Sequence, residues 1–282
     1  MRQIDPETFD ELADGLNHPE GVAWNAVDDH VYAGGEGGEL YRVSLDGEVD
    51  ELATTGGSML GLAVDGRGRV YACDEGNGEI VQLDPSTGAV KVYARGPGDG
   101  ALDTPNALAF DLAGFLYVTC SGEGGDPMIV RISPGGDDVV TWSRDVPGYP
   151  NGVAVDPAGD ALVVVEAHAQ RLVRLAIGSD GSAGPPSVIA ELPQTDPDGV
   201  ALDDAGGMWV TLYRPDGLVR VVDGEVDVGV DDRLAHTFDA PTNLAWVGPS
   251  LDRAVVANVG DRFLSIGELG VHGAALHAPV FP

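Results

Sequence analysis

Four oxygen-bearing residues occupy the same slot of one repeated phrase. Glu20, Asn106, Asn151 and Asp198 stand in "PEGVAWN", "PNALAFD", "PNGVAVD" and "PDGVALD", copies of a frame that reads x-G-[VL]-A-x-D. Two more copies, "MLGLAVD" and "PTNLAWV", put Leu60 and Thr242 in that slot. Two carboxylates and two carboxamides, with no His or Cys among them, make a hard-oxygen donor set. Such a set suits Ca²⁺, Mg²⁺ or Mn²⁺ better than a soft metal, and the two carboxylate charges match one divalent ion. An ion held with one open position can polarise a carbonyl and activate water. Pro-Asn-Gly and Pro-Asp-Gly are also ordinary turn sequences, but a pure turn role has no use for Glu20.

The elements that must bring these residues together follow from the repeat. The slot falls at 20, 60, 106, 151, 198 and 242, spacings of 40, 46, 45, 47 and 44. Each copy continues through a Gly-containing turn, a second apolar strand ("RVYAC", "FLYVT", "ALVVV", "GMWVT", "RAVVA"), another turn, and a strand such as "GELYRV" or "RLVRL". Short strands bounded by Gly, Asp and Pro, recurring at a period in the forties, are the signature of a β-propeller blade. The expectation is an all-β chain, 1–282, folded as a single six-bladed propeller with blade frames near 18–53, 58–94, 104–143, 149–190, 196–230 and 240–271. Ring closure is expected from the segments outside the repeats, "ETFDELADG" and "GAALHAPVFP", since an open ring would leave sheet edges unpaired.

Blades are related by rotation, so equivalent positions form rings around a central channel. The slot, just before the innermost strand, faces the channel mouth. The second strand returns to that end, and the residues after it form an outer ring of candidates for substrate contact: Glu36, Asp74 with Glu75, Ser121, Glu166 with His168, Tyr213 and Asn258. His18, just before Glu20, is placed at the mouth as well. The tryptophans fall on apolar strand positions and read as packing between blades.

The chain has 46 acidic against 15 basic residues, a net charge of -31 and one lysine, Lys91. That field excludes nucleic acid and anionic membranes as partners. Scattered acid with arginine in place of lysine points to a surface adapted to molar salt, where screening removes self-repulsion. There is no run of about 18 apolar residues and no apolar h-region at the N-terminus, so a halophilic, cytoplasmic protein is expected. Cys73 and Cys120 fit no CxxC pattern and read as buried packing.

The order of phrases from "HPEGVAW" through "YPNGVAVDPAGDALVVVE" and "AELPQTDPDGVALDDAGGMWV" to "APTNLAW" resembles the senescence marker protein, gluconolactonase and luciferin-regenerating enzyme family of propellers, over almost the whole chain. The resemblance implies a divalent cation, Ca²⁺ foremost with Mg²⁺, Mn²⁺ or Zn²⁺ as alternatives, held by Glu20, Asn151 and Asp198, with Asn106 binding ion or substrate. It implies a lactonase, a carboxylic ester hydrolase acting on a sugar lactone, with Asp198 accepting a proton from water. The acting form would be a monomer or small homo-oligomer. Many such lactonases carry an Arg two residues before the loop Asn, where this chain has Thr104, so a contact to sugar hydroxyls is missing. "VVVEAHAQR" is also similar to strictosidine-synthase-like and streptogramin-lyase-like propellers, which implies a metal-independent alternative using Glu166 and His168. A non-catalytic binding module in which the ion only ties blades together is the other alternative.

Overall fold

The computed structural model describes residues 3–281. The expected all-β, six-bladed propeller is what the chain forms: six four-stranded antiparallel sheets arranged around a channel. Five are consecutive in the chain. The first runs through Val22–Asn25, His30–Gly34, Glu39–Ser44 and Val49–Thr54, and the fifth through Asp196–Leu202, Met208–Arg214, Gly217–Val222 and Glu225–Asp231.

The burial of each strand explains its sequence. Second strands such as Ala161–Glu166 and Val70–Asp74 are buried on both faces and read as unbroken apolar runs. Outermost strands such as Ser187–Glu191 are largely exposed. The core is divided into six clusters, one between each pair of neighbouring blades. Tyr71, Cys73, Leu116 and Val118 lie between blades two and three, and Trp209, Leu218, Trp246 and Val256 between blades five and six. Each such side chain contributes about 1.5–3 kcal/mol by leaving water, so the interfaces far outweigh exposed ion pairs worth ~0–1 kcal/mol each.

The Asp that ends the frame has a purely local use at the end of the channel opposite the slots. Oδ1 of Asp203 accepts from the amides of Ala205 at 3.0 Å and Gly207 at 2.7 Å, closing the turn. Its Oδ2 accepts from Trp209 Nε1 at 3.0 Å and Arg220 Nε at 2.7 Å. Asp65 repeats the pattern with the amides of Arg67 and Arg69, the Tyr71 hydroxyl and the Arg69 guanidinium. Burial alone would raise the Asp203 carboxyl, yet the bonds from Arg220 and Gly207 hold it below the usual carboxylate range.

Closure departs from expectation at one end. Asp10–Ala13 pairs antiparallel with Leu264–Gly267 and completes blade six with strands Pro241–Val247 and Arg253–Asn258. The segment "GAALHAPVFP", whose last residue is outside the described residues, adds no strand. That edge is already taken, and Pro279 lacks the amide that a ladder needs. The segment instead crosses the far end of the channel. Ala274 donates its amide to the Leu202 carbonyl, the Gly66 amide donates to the Pro279 carbonyl, and Phe281 packs on Phe110.

Asp203→Ala leaves Arg220 and Trp209 without their acceptor, and a buried pair broken on one side costs about 3–5 kcal/mol. Urea denaturation in molar KCl is expected to show a loss of that order. A change under 1 kcal/mol would mean that the turn carboxylate is not a structural anchor.

Candidate functional site

The ring of slots is set by backbone contact before any side chain is considered. The residue after the slot is Gly in four blades because neighbouring innermost strands nearly touch. A Cβ on Gly152 would stand 2.5 Å from the Asp198 carbonyl oxygen, and one on Gly21 would overlap the Leu60 carbonyl. Side chains of slot residues therefore start close enough to meet across the mouth.

Glu20 and Asp198 stand near enough there to act on each other electrostatically. Burial, and then the charge of Glu20, raises the Asp198 carboxyl well above its ordinary value, while a hydrogen bond from the Asn151 side chain pulls the other way. Burial pushes Glu20 up to about 7. Both keep part of their surface open to the mouth. Among the described residues, no arginine or lysine contributes to either shift.

Asn151 is 6% exposed, and its Oδ1 is buried without a hydrogen-bond partner. A buried carbonyl oxygen left unpaired costs free energy. Beside it are two carboxyl groups that cannot both ionise cheaply. Those three oxygen donors fit a hard divalent cation, which would satisfy the orphan oxygen and compensate the paired charge. Among the described residues no three His, Cys, Asp or Glu side chains cluster at ligating spacing, so such a centre needs its carboxamides.

Asn106, in strand Pro105–Phe110, is 7% exposed in the equivalent slot of blade three. Leu60 brings no donor. Thr242 commits its hydroxyl to the Glu20 carbonyl at 2.7 Å.

The description of the SMP-30/Gluconolactonase/LRE-like region matches residues 18–259, most of the chain. The chain belongs to that family. A gluconolactonase from Xanthomonas campestris is similar in structure, with TM-score 0.80 at 20% identity over 92% of this chain and 89% of that one. Regucalcin from Agrobacterium tumefaciens, described as a calcium-binding protein, gives TM-score 0.76 at 18% identity over 95% of both chains. A luciferin-regenerating enzyme gives 0.75 at 14% identity over 95% and 97%. At these identities the likeness establishes the fold. A search of curated proteins returned no match, and among the described residues no helix is long and apolar enough to cross a membrane.

The outer ring of this SMP-30-like propeller is largely engaged in holding its own loops. Glu166 is 2% exposed, accepts from the Gly148 amide at 2.8 Å and pairs with Arg171 Nε at 2.6 Å. His168 is exposed and lies against the Tyr149 ring at 4.6 Å, so the two residues face different partners. Asp74 accepts from the amide and side chain of Asn77, Ser121 donates to the Pro150 carbonyl, and Asn258 Oδ1 accepts from the Asp239 amide. Tyr213 is 41% exposed with the Arg214 guanidinium over its ring. His18 Nδ1 is 2.9 Å from the Val259 carbonyl and ties blade one to blade six. Glu36 is exposed.

Tyr149 and Glu123 escaped the sequence reading. The Tyr149 hydroxyl donates to Glu123 Oε1 at 3.1 Å. Burial, then Glu123, raises its phenol, and the charge of Asp198 adds to the shift, so the ring is within electrostatic reach of that carboxyl. Burial, then Glu123, also raises Glu75. The available signal was positional: Tyr149, like His18, Thr104 and Ala240, stands two residues before a slot, and all four have positive φ.

The pair makes stability depend on pH with a definite sign. Both carboxyl groups bind protons more tightly in the folded than in the unfolded chain. Their contribution is therefore complete below the ordinary carboxylate range and is lost as pH rises toward about 7, the value for Glu20. In molar KCl without divalent cations, Tm is expected to fall by about 4–8 °C between pH 4.5 and 7.5, taking ~2 kcal/mol at roughly 2–4 °C per kcal/mol. The double variant Glu20→Gln, Asp198→Asn should flatten most of that slope; an unchanged slope would place its origin elsewhere.

Proposed function

We propose that the chain is a hydrolase that opens the ring ester of a lactone at the channel mouth, with a divalent cation held by Glu20, Asn151 and Asp198. The observation that carries this reading is the Glu20–Asp198 pair buried beside the unpartnered Oδ1 of Asn151. Bound there, the cation supplies charge compensation and Lewis-acid polarisation of the ester carbonyl. Membership of the SMP-30/Gluconolactonase/LRE-like family supports the reaction class. The calcium-binding relative supports Ca²⁺ as the ion, with Mg²⁺, Mn²⁺ or Zn²⁺ as alternatives.

Asp198 is the proton carrier. A carboxylate held at the reacting centre can act first as general base and then as general acid. Its carboxylate takes a proton from the water that attacks the carbonyl carbon. It returns that proton to the ring oxygen as the acyl C–O bond breaks, so water and lactone become a hydroxy acid. Asn106 and the Tyr149 hydroxyl, in the neighbouring slot and at the rim, orient substrate hydroxyls. His168 extends the Tyr149 face into an aromatic platform. Glu75 and Glu123 make the rim acidic, which disfavours anionic lactones.

The test is acid release from a panel of pentono- and hexonolactones in molar KCl, a medium suited to a chain of net charge -31. Turnover is expected to vanish with chelator and to return with Ca²⁺, Mg²⁺, Mn²⁺ or Zn²⁺. Asp198→Asn should lower it by about 10²–10⁴-fold, the usual contribution of a general base, with an unchanged far-UV spectrum. Full turnover in that variant would sink the mechanism. A folded protein that binds the cation but opens no lactone would be a binding module.

A further inference from the structure

Beneath the mouth, three buried threonines hold the backbone of the slots. Thr119, in the second strand of blade three (Leu116–Cys120), is fully buried. Its hydroxyl accepts from the Ala107 amide at 3.0 Å and donates to the Asn151 carbonyl of the next blade at 2.6 Å. Thr211 does the same from blade five, accepting from the Gly199 amide at 2.8 Å and donating to the Thr242 carbonyl at 2.7 Å. Thr242, 1% exposed, passes the tie onward by donating to the Glu20 carbonyl at 2.7 Å. Glu20 and Asn151 thus each have their main chain pinned by a hydroxyl from the preceding blade.

We propose that Thr119 and Thr242, the latter backed by Thr211, are positioning residues that fix the main-chain placement of Asn151 and Glu20 around the mouth, and through it the affinity and size selectivity of the site for a divalent cation. The inference rests on the metal-centre reading above. Physical reasons favour these residues over their neighbours. Where the frame lacks glycine, at Ala107 in blade three and Asn243 in blade six, the strands cannot register by close approach alone. In both of those blades a buried hydroxyl makes the crossing to the next slot. A hydroxyl is directional and short, so it fixes both distance and rotation of the peptide it holds. Ligand placement of that kind decides between ions that differ in preferred oxygen distance, about 2.0–2.1 Å for Mg²⁺ against 2.3–2.6 Å for Ca²⁺. Valine has the shape of threonine without the hydroxyl, and serine has the hydroxyl without the methyl.

The experiment is calorimetric titration of the full chain with Ca²⁺ and with Mg²⁺ in chelator-treated molar KCl, for wild type, Thr119→Val, Thr242→Val and their serine counterparts. Urea denaturation and backbone amide exchange are measured on the same proteins without cation. The expected result is about a tenfold loss of Ca²⁺ affinity in each valine variant, a shift of the Ca²⁺/Mg²⁺ ratio of threefold or more, and return to within about twofold of wild type in the serine variants. Exchange should quicken at residues 20–22 in Thr242→Val and at 151–153 in Thr119→Val. Valine variants that are less stable but bind both ions as wild type does would overturn the inference while leaving the metal centre standing. A wild type that binds neither ion would overturn the metal-centre reading and, with it, the selectivity assigned to the threonines. Amide exchange would then report separately whether the hydroxyl ties hold the slots.

Discussion

The closeness of the six innermost strands around the axis governs the rest of this molecule. In four of the six blades the glycine after the slot lies against the carbonyl of the next blade's slot, and no side chain fits between them; in blades three and six, where Ala107 and Asn243 stand there, a threonine hydroxyl makes the crossing. That contact sets the width of the channel. The blades then diverge outward, and the widening space between them is filled by the six apolar clusters. Closure by Asp10–Ala13 follows from the same demand, since the last blade must bring its inner strand to the first at the spacing the others keep. A ring of contacts this tight leaves little freedom to the residues at its rim, and the rim is where the oxygen donors stand.

The same residue type meets opposite fates at the two ends of one strand. Asp203, just past the end of Asp196–Leu202, is held charged by Arg220, Trp209 and two turn amides. Asp198, near the start of that strand, has Glu20 for company, and its carboxyl is driven toward the protonated form. Desolvation acts on both, and the partners decide the sign. Arg69, Arg171 and Arg220 are engaged elsewhere, by Asp65, Glu166 and Asp203. Charge at the mouth is left to be compensated by a proton or a cation.

A propeller repeats its backbone, so what was legible in the sequence was whatever repeats. The frame gave the number of blades, the strand order within each and membership of the slot ring, because a fixed period in the chain becomes a rotation in space. It set Glu20, Asn106, Asn151 and Asp198 in equivalent positions at or just before the starts of innermost strands, and apolar runs such as "ALVVVE" in strands covered on both faces. The outer ring was located by the same rule, but the use of its side chains was not. Glu166 looks available in the sequence and is engaged by Arg171 and the Gly148 amide. The C-terminal segment had turn and apolar residues enough to suggest a strand, yet it crosses the channel end because the edge it would need was filled from the other terminus.

Sequence alone therefore determined the architecture and which residues share the slot position, since local hydrophobic pattern and repeat period are properties of the chain itself. Only the tertiary structure decided which donors act on one another. The Glu20–Asp198 pair, the threonine hydroxyls that pin neighbouring slots and the Tyr149–Glu123 contact each join residues from different blades, and burial among them leaves Asn151 Oδ1 an orphan. Hydrogen-bond direction and desolvation depend on distances of tenths of an ångström across those interfaces, and such distances leave no periodic trace in the order of the residues.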